Sequence, residues 1–232
     1  MKKKITIALV ALIALTAKAQ TGRFCMAKDG KAATIVVDEN DWKGVLRAAN
    51  DLSDDVRKVT GVKAEVAVAN STLYTLLPPE GRSVARNHST LPSIIVGTIG
   101  KSKIIDRLVK KKKVDVKQVK GQWESYLIDI VDGNLVIAGS DKRGTIYGIY
   151  DISQRIGVSP WYWWADVPVK HQDEVWYDGG RIVQPSPTIK YRGIFINDED
   201  WGLKPWAAKN FERELGDIGP KPTTRCANCC CD

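Results

Sequence analysis

Three carboxylates and a tryptophan near the end of the chain are the side chains best suited to chemistry. They follow residues 189–196 (IKYRGIFI), whose β-branched and aromatic content predicts a β-strand. The polar group reads, in order, Asn197, Asp198, Glu199, Asp200 and Trp201. In a (β/α)8 barrel the active site lies at the C-terminal ends of the strands. A strand that is followed directly by carboxylates and an aromatic ring is therefore typical of the first strand of such a barrel. An acidic loop that only caps the following helix is the alternative.

A second unusual feature is a run of four aromatic residues between two prolines, which reads Pro160, Trp161, Tyr162, Trp163, Trp164 and, four residues later, Pro168. No helix or strand buries four consecutive large rings on one face, so some of them must line a surface, an interface or a cleft. Such rings stack on the apolar faces of sugars while their N–H and O–H tips reach hydroxyls. We single out Trp164 as a sugar contact. A plug of Trp and Pro at a domain interface is the alternative, and both can hold for different rings.

The elements that must position these features alternate between strands and helices. Apolar spacing and β-branched runs predict strands at residues 33–37, 64–68, 93–98, 123–131 and 135–138, and helices beginning near residues 42, 102 and 142. Asp132-Gly133 predicts a hairpin turn, Gly61 and Gly157 end helices, and the carboxylates between Asp38 and Asp41 offer helix caps. Residues 70–92 predict an irregular connection, residues 176–180 a turn, and residues 184–187 an extended linker. This order predicts a mixed α/β layer with helices packed on a sheet.

The start of the chain predicts a signal peptide over residues 1–19. Three lysines precede an apolar run, and Ala17-Lys18-Ala19 fits the small-x-small cleavage rule. We therefore expect an exported, secreted or periplasmic protein without a membrane anchor. The four lysines of this segment carry half of the formal net charge of +8, which leaves +4 for the mature chain. The basic run at residues 110–113 has no interleaved aromatics, so we expect no nucleic-acid partner.

Two further motifs are weak. The segment GTIGKS (residues 97–102) does not match the phosphate-binding pattern GxxxxGK[ST], so no P-loop is expected. Four of the five cysteines lie between residues 226 and 231, where the apolar helical pattern stops. With one choice of codons for residues 221–232, a single inserted base gives an amphipathic helix, so our hypothesis is that residues 221–232 are a frame-shifted tail, which resequencing of the gene tests. A zinc or disulfide cluster is the rival, but CxxCCC places ligands too close for a tetrahedral site on one short loop.

Two long segments together carry a resemblance to a known family. SDKRGTIYGIYDISQRIGVSPWYWWADVP (residues 140–168), followed by SPTIKYRGIFINDEDWGLKPWA (residues 186–207), resembles the N-terminal part of glycoside hydrolase family 115, the xylan α-glucuronidases. The resemblance implies an N-terminal mixed-sheet α/β domain over residues 20–185, and then the first strand and helix of a truncated (β/α)8 barrel over residues 186–220. It implies removal of glucuronic acid or its 4-O-methyl form from glucuronoxylan or aldouronic acids, with inversion and without a cofactor. A homodimer of the full-length enzyme is also possible.

The resemblance assigns expected roles to the residues singled out above. An inverting glycosidase needs one carboxyl group as acid and one as base, roughly 6.5–9.5 Å apart. Glu199 is the first candidate and Asp198 the second, and the partner carboxylate must come from a later barrel strand. We expect Asn197, Asp200 and Trp201 to bind substrate, and Arg143 to grip the glucuronate carboxylate at a helix N-terminus. A structural ion pair is the alternative for Arg143, and Arg192 is expected to be a structural partner.

Because a full barrel needs about 250 residues, we expect this chain by itself to be inactive. A non-catalytic periplasmic carbohydrate-binding or accessory module is the alternative function. A structural interface domain without a ligand is a third.

Overall fold

A computed structural model describes residues 22–69, 91–162 and 165–193 of the chain. The elements in these ranges are β1 (Phe24–Lys28), β2 (Lys31–Ala32), β3 (Ile35–Asp38), α1 (Lys43–Thr60), β4 (Val66–Ala69), β5 (Ile94–Thr98), α2 (Lys103–Lys110), β6 (Tyr126–Val131), β7 (Asn134–Gly139), α3 (Lys142–Arg155), β8 (Val175–Tyr177) and β9 (Ile182–Gln184).

The larger of the two sheets has the strand order β4-β3-β5-β7-β6-β9. Strands β4, β3, β5 and β7 run parallel to one another, β6 pairs antiparallel with β7, and β9 pairs antiparallel with β6 at the edge. The central strands β3 (IVVD) and β5 (IIVGT) are buried along their whole length. This is expected for parallel strands, since both of their faces are covered by helices or by other packed chain.

Helices cover both faces of this sheet. Ile35 and Val37 of β3 point into a core that includes Leu52 of α1 and Ile149 of α3. Val36, between them, points to the opposite core, which α2 supplies with Ile104, Ile105 and Leu108. The alternation follows from the two-residue period of a strand. The predicted mixed-sheet α/β fold is thereby confirmed.

Three short strands form a second sheet in the order β2-β1-β8, and the sequence pattern predicted none of them. The prediction of a turn at residues 176–180 is wrong for its first two residues, because Trp176 and Tyr177 belong to β8 and pair with Cys25 and Phe24. Residues 182–184, the last of which was assigned to an extended linker, likewise form β9 at the edge of the larger sheet. Strands β8 and β9 are thus defined by partners far away in the chain, whereas β2 pairs with the adjacent β1.

The start of α1 also differs from the prediction. The helix begins at Lys43, and its N-cap residue Trp42 makes no side-chain capping bond. Asp38 and Asp41 bind other elements instead, as described below, and Trp42 is exposed rather than packed on the apolar stripe. The end is as predicted, because Gly61 adopts a left-handed φ of 78° and its N–H bonds to the carbonyl of Arg57.

The predicted hairpin between β6 and β7 is confirmed with its turn, but β6 begins at Tyr126 and residues 123–125 are not part of the strand. Asp132 and Gly133 both have positive φ, 49° and 77°, as a two-residue turn of this kind requires. Val131 then pairs with Asn134, and the ladder continues to Tyr126 and Gly139.

Residues 189–193, which open the predicted barrel strand, form no strand, and Ile189 and Tyr191 are exposed. A strand needs a hydrogen-bonded neighbour, and no described segment pairs with these residues. The rest of the predicted strand, the predicted barrel helix, the signal peptide and the cysteine-rich tail lie outside the described residues. The boundary at residues 185 and 186 stays a prediction. Among the described helices, none has the length and apolar character needed to cross a bilayer.

Candidate functional site

The structure describes one of the seven predicted site residues. Arg143 lies in the first turn of α3. The other six lie outside the described residues: Trp164, Asn197, Asp198, Glu199, Asp200 and Trp201. Of the aromatic run, Trp161 is exposed, while Tyr162 packs against the core and lies under the ammonium group of Lys58, 4.8 Å from the ring centroid. Tyr162 therefore behaves as part of a plug, and Trp161 stays available to solvent.

Arg143 is positioned by Asp141, which joins α3 to residues 123–125, here called the 123–125 bend. One carboxylate oxygen of Asp141 accepts a hydrogen bond from the N–H of Gly144 at 2.7 Å and so caps the helix. The other accepts from the N–H of Glu124 at 2.8 Å. Gly144 lies directly against the bend, because a Cβ there would be 2.2 Å from the carbonyl oxygen of Ser125. Only glycine allows this approach.

Glu124 is the centre of the cluster. Its side chain is 7% exposed, and each carboxylate oxygen contacts one arginine. Nη1 of Arg143 donates to Oε1 at 2.9 Å, and Nη2 of Arg192 donates to Oε2. Arg143 reaches it from α3, and Arg192 from the segment that follows β9. The guanidinium groups are 44% and 37% exposed, so solvent screens part of the attraction.

Two opposing effects act on the pKa of Glu124. Burial is the larger single effect and raises the pKa, since it disfavours the charged carboxylate. Hydrogen bonds and charge from Arg192 and Arg143 together outweigh burial, so the pKa of Glu124 lies below its ordinary value. The nearby phenol of Tyr147 shifts the other way, because burial and the negative charge of Glu124 raise the pKa of Tyr147. Glu124 is therefore a permanent anion at neutral pH.

The same bend holds the chain that leads to Arg192 by two more bonds. The hydroxyl of Ser125 donates to the carbonyl of Gln184 at 2.6 Å, and the hydroxyl of Ser186 donates to the carbonyl of Trp123 at 2.7 Å. The guanidinium of Arg192 also lies 5.8 Å from the centroid of the Trp123 ring. All three residues of the bend thus contact residues 184–192.

A second polar group lies where the parallel strands end. Strand order reverses between β3 and β5, and the crevice beside the carboxyl ends at such a point is where open α/β sheets bind ligands. Here Asp41 accepts bonds from the N–H and the hydroxyl of Thr98 at 2.7 and 2.8 Å. The Thr98 hydroxyl is in turn 2.8 Å from that of Thr145 on α3. Asp38 accepts from the N–H of Ile104 at 3.0 Å.

This group, called the Asp41 network, connects the sheet to its helices. Burial raises the pKa of Asp41, and the hydrogen bonds from Thr98 and Trp42 oppose that shift without cancelling it. Its donors are backbone N–H groups and a hydroxyl, and none of them is a cation. Across the described ranges, no group of three His, Cys, Asp or Glu side chains is placed to hold a metal ion.

Sequence reasoning found Arg143 and Arg192 but missed Glu124, the residue that joins them. Its partners lie 19 and 68 positions away in the chain, so no local pattern marks it. A glutamate immediately before a buried strand was the available signal. Arg143 binds a carboxylate of the protein, which favours the structural ion pair over the substrate contact.

Comparison with known proteins places the chain in a family. The model of glycosyl hydrolase family 115 matches residues 184–227, which include the polar group at residues 197–201. A solved structure, a novel family GH115 4-O-methyl-alpha-glucuronidase, BtGH115A, with specificity for decorated arabinogalactans, is 36% identical over 85% of this chain, with a TM-score of 0.65. The chain belongs to glycoside hydrolase family 115.

The family 115 chain spans only 23% of the length of that solved relative. A mutant beta-hexosaminidase of Streptomyces plicatus in complex with its product is also similar, at 15% identity over 72% of this chain and 24% of that chain, with a TM-score of 0.42. A likeness at that level says nothing about function. No curated protein matches the chain.

Proposed function

We propose that the family 115 chain belongs to an exported glycosidase that removes glucuronic acid or 4-O-methyl-glucuronic acid from polysaccharide side chains. The observation that carries the proposal is the 36% identity to a 4-O-methyl-alpha-glucuronidase over 85% of this chain. The family match over residues 184–227 supports it independently, because it includes all three adjacent carboxylates.

The proposed mechanism is inversion by two carboxyl groups. One protonates the glycosidic oxygen, and the other activates a water molecule on the opposite face of the sugar. Glu199 is the first candidate for one of these roles and Asp198 the second, while Asn197, Asp200, Trp201 and Trp164 bind the sugar. The two carboxyl groups must lie on opposite faces of the sugar, which adjacent residues of one short segment do not supply, so we expect the other member of the pair on a later segment. We assign Arg143 to the ion pair with Glu124 rather than to the substrate.

The polysaccharide is the open part of the proposal. The sequence resemblance favours glucuronoxylan, whereas the solved relative is described as specific for decorated arabinogalactans. Both substrates carry the same uronic acid, so a subsite for the leaving sugar must distinguish them. We also propose that residues 1–19 are removed as a signal peptide on export. N-terminal sequencing of the protein from the cell envelope tests this, and we expect Gln20 as the first residue.

The test is an assay of released uronic acid. The intact protein that contains this chain is incubated with aldouronic acids from glucuronoxylan and, separately, with glucuronidated arabinogalactan. We expect release of uronic acid from one of the two substrates. Because the linkage is α and the mechanism inverts, NMR should show the β-anomer as the first product. Glu199→Gln should lower kcat by about 10³-fold or more, with Lys190→Gln as a control for a neighbouring charge change. Absence of uronic acid release from both substrates would contradict the proposed activity and favour a binding module.

A further inference from the structure

The contacts of the 123–125 bend with residues 184–192 are unusual for a link between an α/β sheet and the chain that leaves it. All three bend residues take part, and each uses a different interaction: a carbonyl acceptor and a ring at Trp123, a carboxylate at Glu124, and a hydroxyl donor at Ser125. The sheet itself needs none of these bonds, since β9 already pairs with β6 in the ladder.

The backbone of the bend is built to present Glu124. This residue has a φ of 51°, a left-handed value that is uncommon for a side chain other than Gly, Asn or Asp. Its N–H is held by Asp141, and the carbonyl of Ser125 accepts bonds from both the N–H and the hydroxyl of Ser140, at 2.8 and 2.9 Å. A main chain held in a strained conformation by several bonds indicates that the position of its side chain matters.

Among the described residues, Arg192 makes the attachment that lies nearest in sequence to the proposed catalytic residues. It precedes Asn197 by five positions and Glu199 by seven. Its Nη1 also donates to the carbonyl of Ile189, which braces the guanidinium against its own segment. Ile189 and Tyr191 beside it are exposed, so within the described residues this segment is held by polar contacts rather than by burial.

We propose that Glu124 is a positioning residue, which through Arg192 fixes where the chain enters residues 197–201. This inference rests on the proposed function for its effect on catalysis. The contact itself, called the Glu124 clasp and consisting of Glu124 with Arg192, does not depend on that function. A displacement of reacting groups by about 1 Å costs on the order of 10²-fold in rate, so a modest loosening at Arg192 is enough to be measured.

The first measurement is a double-mutant cycle between Glu124 and Arg192, by urea denaturation of the 232-residue chain at pH 7. Arg192→Gln and Glu124→Gln should each lower the folding equilibrium constant by about tenfold, because a charge-assisted hydrogen bond is lost, and the double variant should lose less than the two single effects combined. Arg192→Lys should restore most of the loss, since it keeps the cation. Lys190→Gln is the matched control, because Lys190 lies two positions away with its ammonium group over the Tyr191 ring. Free-energy losses of the two single variants that add fully in the double variant would overturn the clasp.

The second measurement separates positioning from stability in the intact protein. Arg192→Gln should lower kcat by about tenfold and leave KM within about twofold, and Arg192→Lys should recover most of kcat. Arg143→Gln removes the other arginine from the same carboxylate, so it should lower the melting temperature with a smaller effect on kcat. If Arg192→Gln and Arg143→Gln change kcat equally, the positioning role is wrong. If the wild-type protein releases no uronic acid, the proposed function fails, and the double-mutant cycle alone decides the clasp.

Discussion

The pKa values of two carboxyl groups in this domain, Asp41 and Glu124, are shifted in opposite directions. The comparison shows the effect of burial without a cation and with one. Burial is the largest single influence at both Asp41 and Glu124, and at both it raises the pKa. Asp41 receives hydrogen bonds from neutral donors, and its pKa stays raised. Glu124 has an arginine on each oxygen, and its pKa falls below the ordinary value. The nature of the donors, rather than the depth of the group, decides the sign.

The two sites also join different parts of the molecule. The Asp41 network joins β5 to α3 within the α/β layer, through Thr98 and Thr145. Glu124 joins that layer to the segment that continues towards the proposed catalytic residues. A neutral network suits a permanent contact inside a fold, because it carries no unpaired charge when it forms. A charged contact with half-exposed arginines can hold a segment that packs little apolar surface.

The largest effect is expected from the close approach of α3 to the 123–125 bend. In Gly144→Ala the new Cβ would lie 2.2 Å from the carbonyl oxygen of Ser125, so the main chain of the helix or of the bend must shift. We expect the free energy of unfolding to fall by about 3 kcal/mol, measured by urea denaturation. Gly44→Ala is the control, since its nearest atom is Cδ1 of Ile146 at 3.4 Å, and helix propensity should then favour alanine by about 0.5–1 kcal/mol. If Gly144→Ala lowered the free energy of unfolding by less than about 1 kcal/mol, the main chain of the bend or the helix would be able to shift at little cost.

Glu124→Gln should give the next largest loss in the free energy of unfolding, and this loss should depend on pH. At pH 7 we expect a loss of about 1.5 kcal/mol, which is the lower end for hydrogen bonds to a charged group, because both arginines are partly exposed. The folded-state pKa is lowered, so this stability is fully present above the unfolded pKa of about 4.3 and is lost as the pH falls through the folded pKa. The difference between wild type and variant should therefore shrink below pH 4.3 in urea denaturation. Glu174→Gln, in an exposed pair with Lys28, is the control and should have a much smaller effect.

These two sites also mark where sequence reasoning stops. The buried strands β3 and β5 were predicted because β-branched runs carry their own signal, and α3 because its apolar spacing is local. Strand β1 was missed although Asp29-Gly30, between β1 and β2, carries the same hairpin signal as Asp132-Gly133. Its pairing with β8, about 150 positions away, leaves no local pattern. Asp38 and Asp41 were assigned to the cap of the adjacent helix, which is the usual local role, but their partners lie 66 and 57 positions away. Tertiary contacts decided what these carboxylates bind.

Asp41→Asn should show the opposite pH dependence to Glu124→Gln. The folded-state pKa of Asp41 is raised, so between the unfolded pKa of about 3.9 and the folded pKa the folded chain binds more protons. Wild-type stability from this group is therefore present at low pH and is lost as the pH rises through that window. Asn is neutral at every pH and keeps one carbonyl acceptor for the N–H of Thr98. The free energy of unfolding of the variant should therefore rise relative to that of wild type as the pH rises. If the difference in free energy of unfolding between wild type and variant changed with pH in the same direction for Asp41→Asn and Glu124→Gln, the comparison would be wrong.

The smallest effect is expected from Thr145→Val, which tests why Asp41 holds a proton readily. Burial of Asp41 is the main cause of its raised pKa, and the bonds from Thr98 oppose that rise. The prediction is that the bond from Thr98 lowers the pKa less than it otherwise would, because the network is short of protons. With Asp41 ionised, the hydroxyls of Thr98 and Thr145 have two protons for three contacts: Asp41 to Thr98, Thr98 to Thr145, and Thr145 to the carbonyl of Asp141. A protonated Asp41 can donate to Thr98, which lets every contact carry one proton.

We therefore expect Thr145→Val to lower the free energy of unfolding by about 1 kcal/mol or less and to bring the pKa of Asp41 closer to its ordinary value. NMR titration of the Asp41 carboxyl carbon measures the second effect. Thr60→Val is the matched control for stability, because the Thr60 hydroxyl donates to the carbonyl four residues earlier, as that of Thr145 does, at 2.8 and 2.9 Å. Because the Thr60 hydroxyl also accepts from the N–H of Val62 at 3.2 Å, the comparison weighs the Thr145 contact with Thr98 against that local bond. If the pKa of Asp41 does not move, burial alone raises it, and the shared protons contribute nothing.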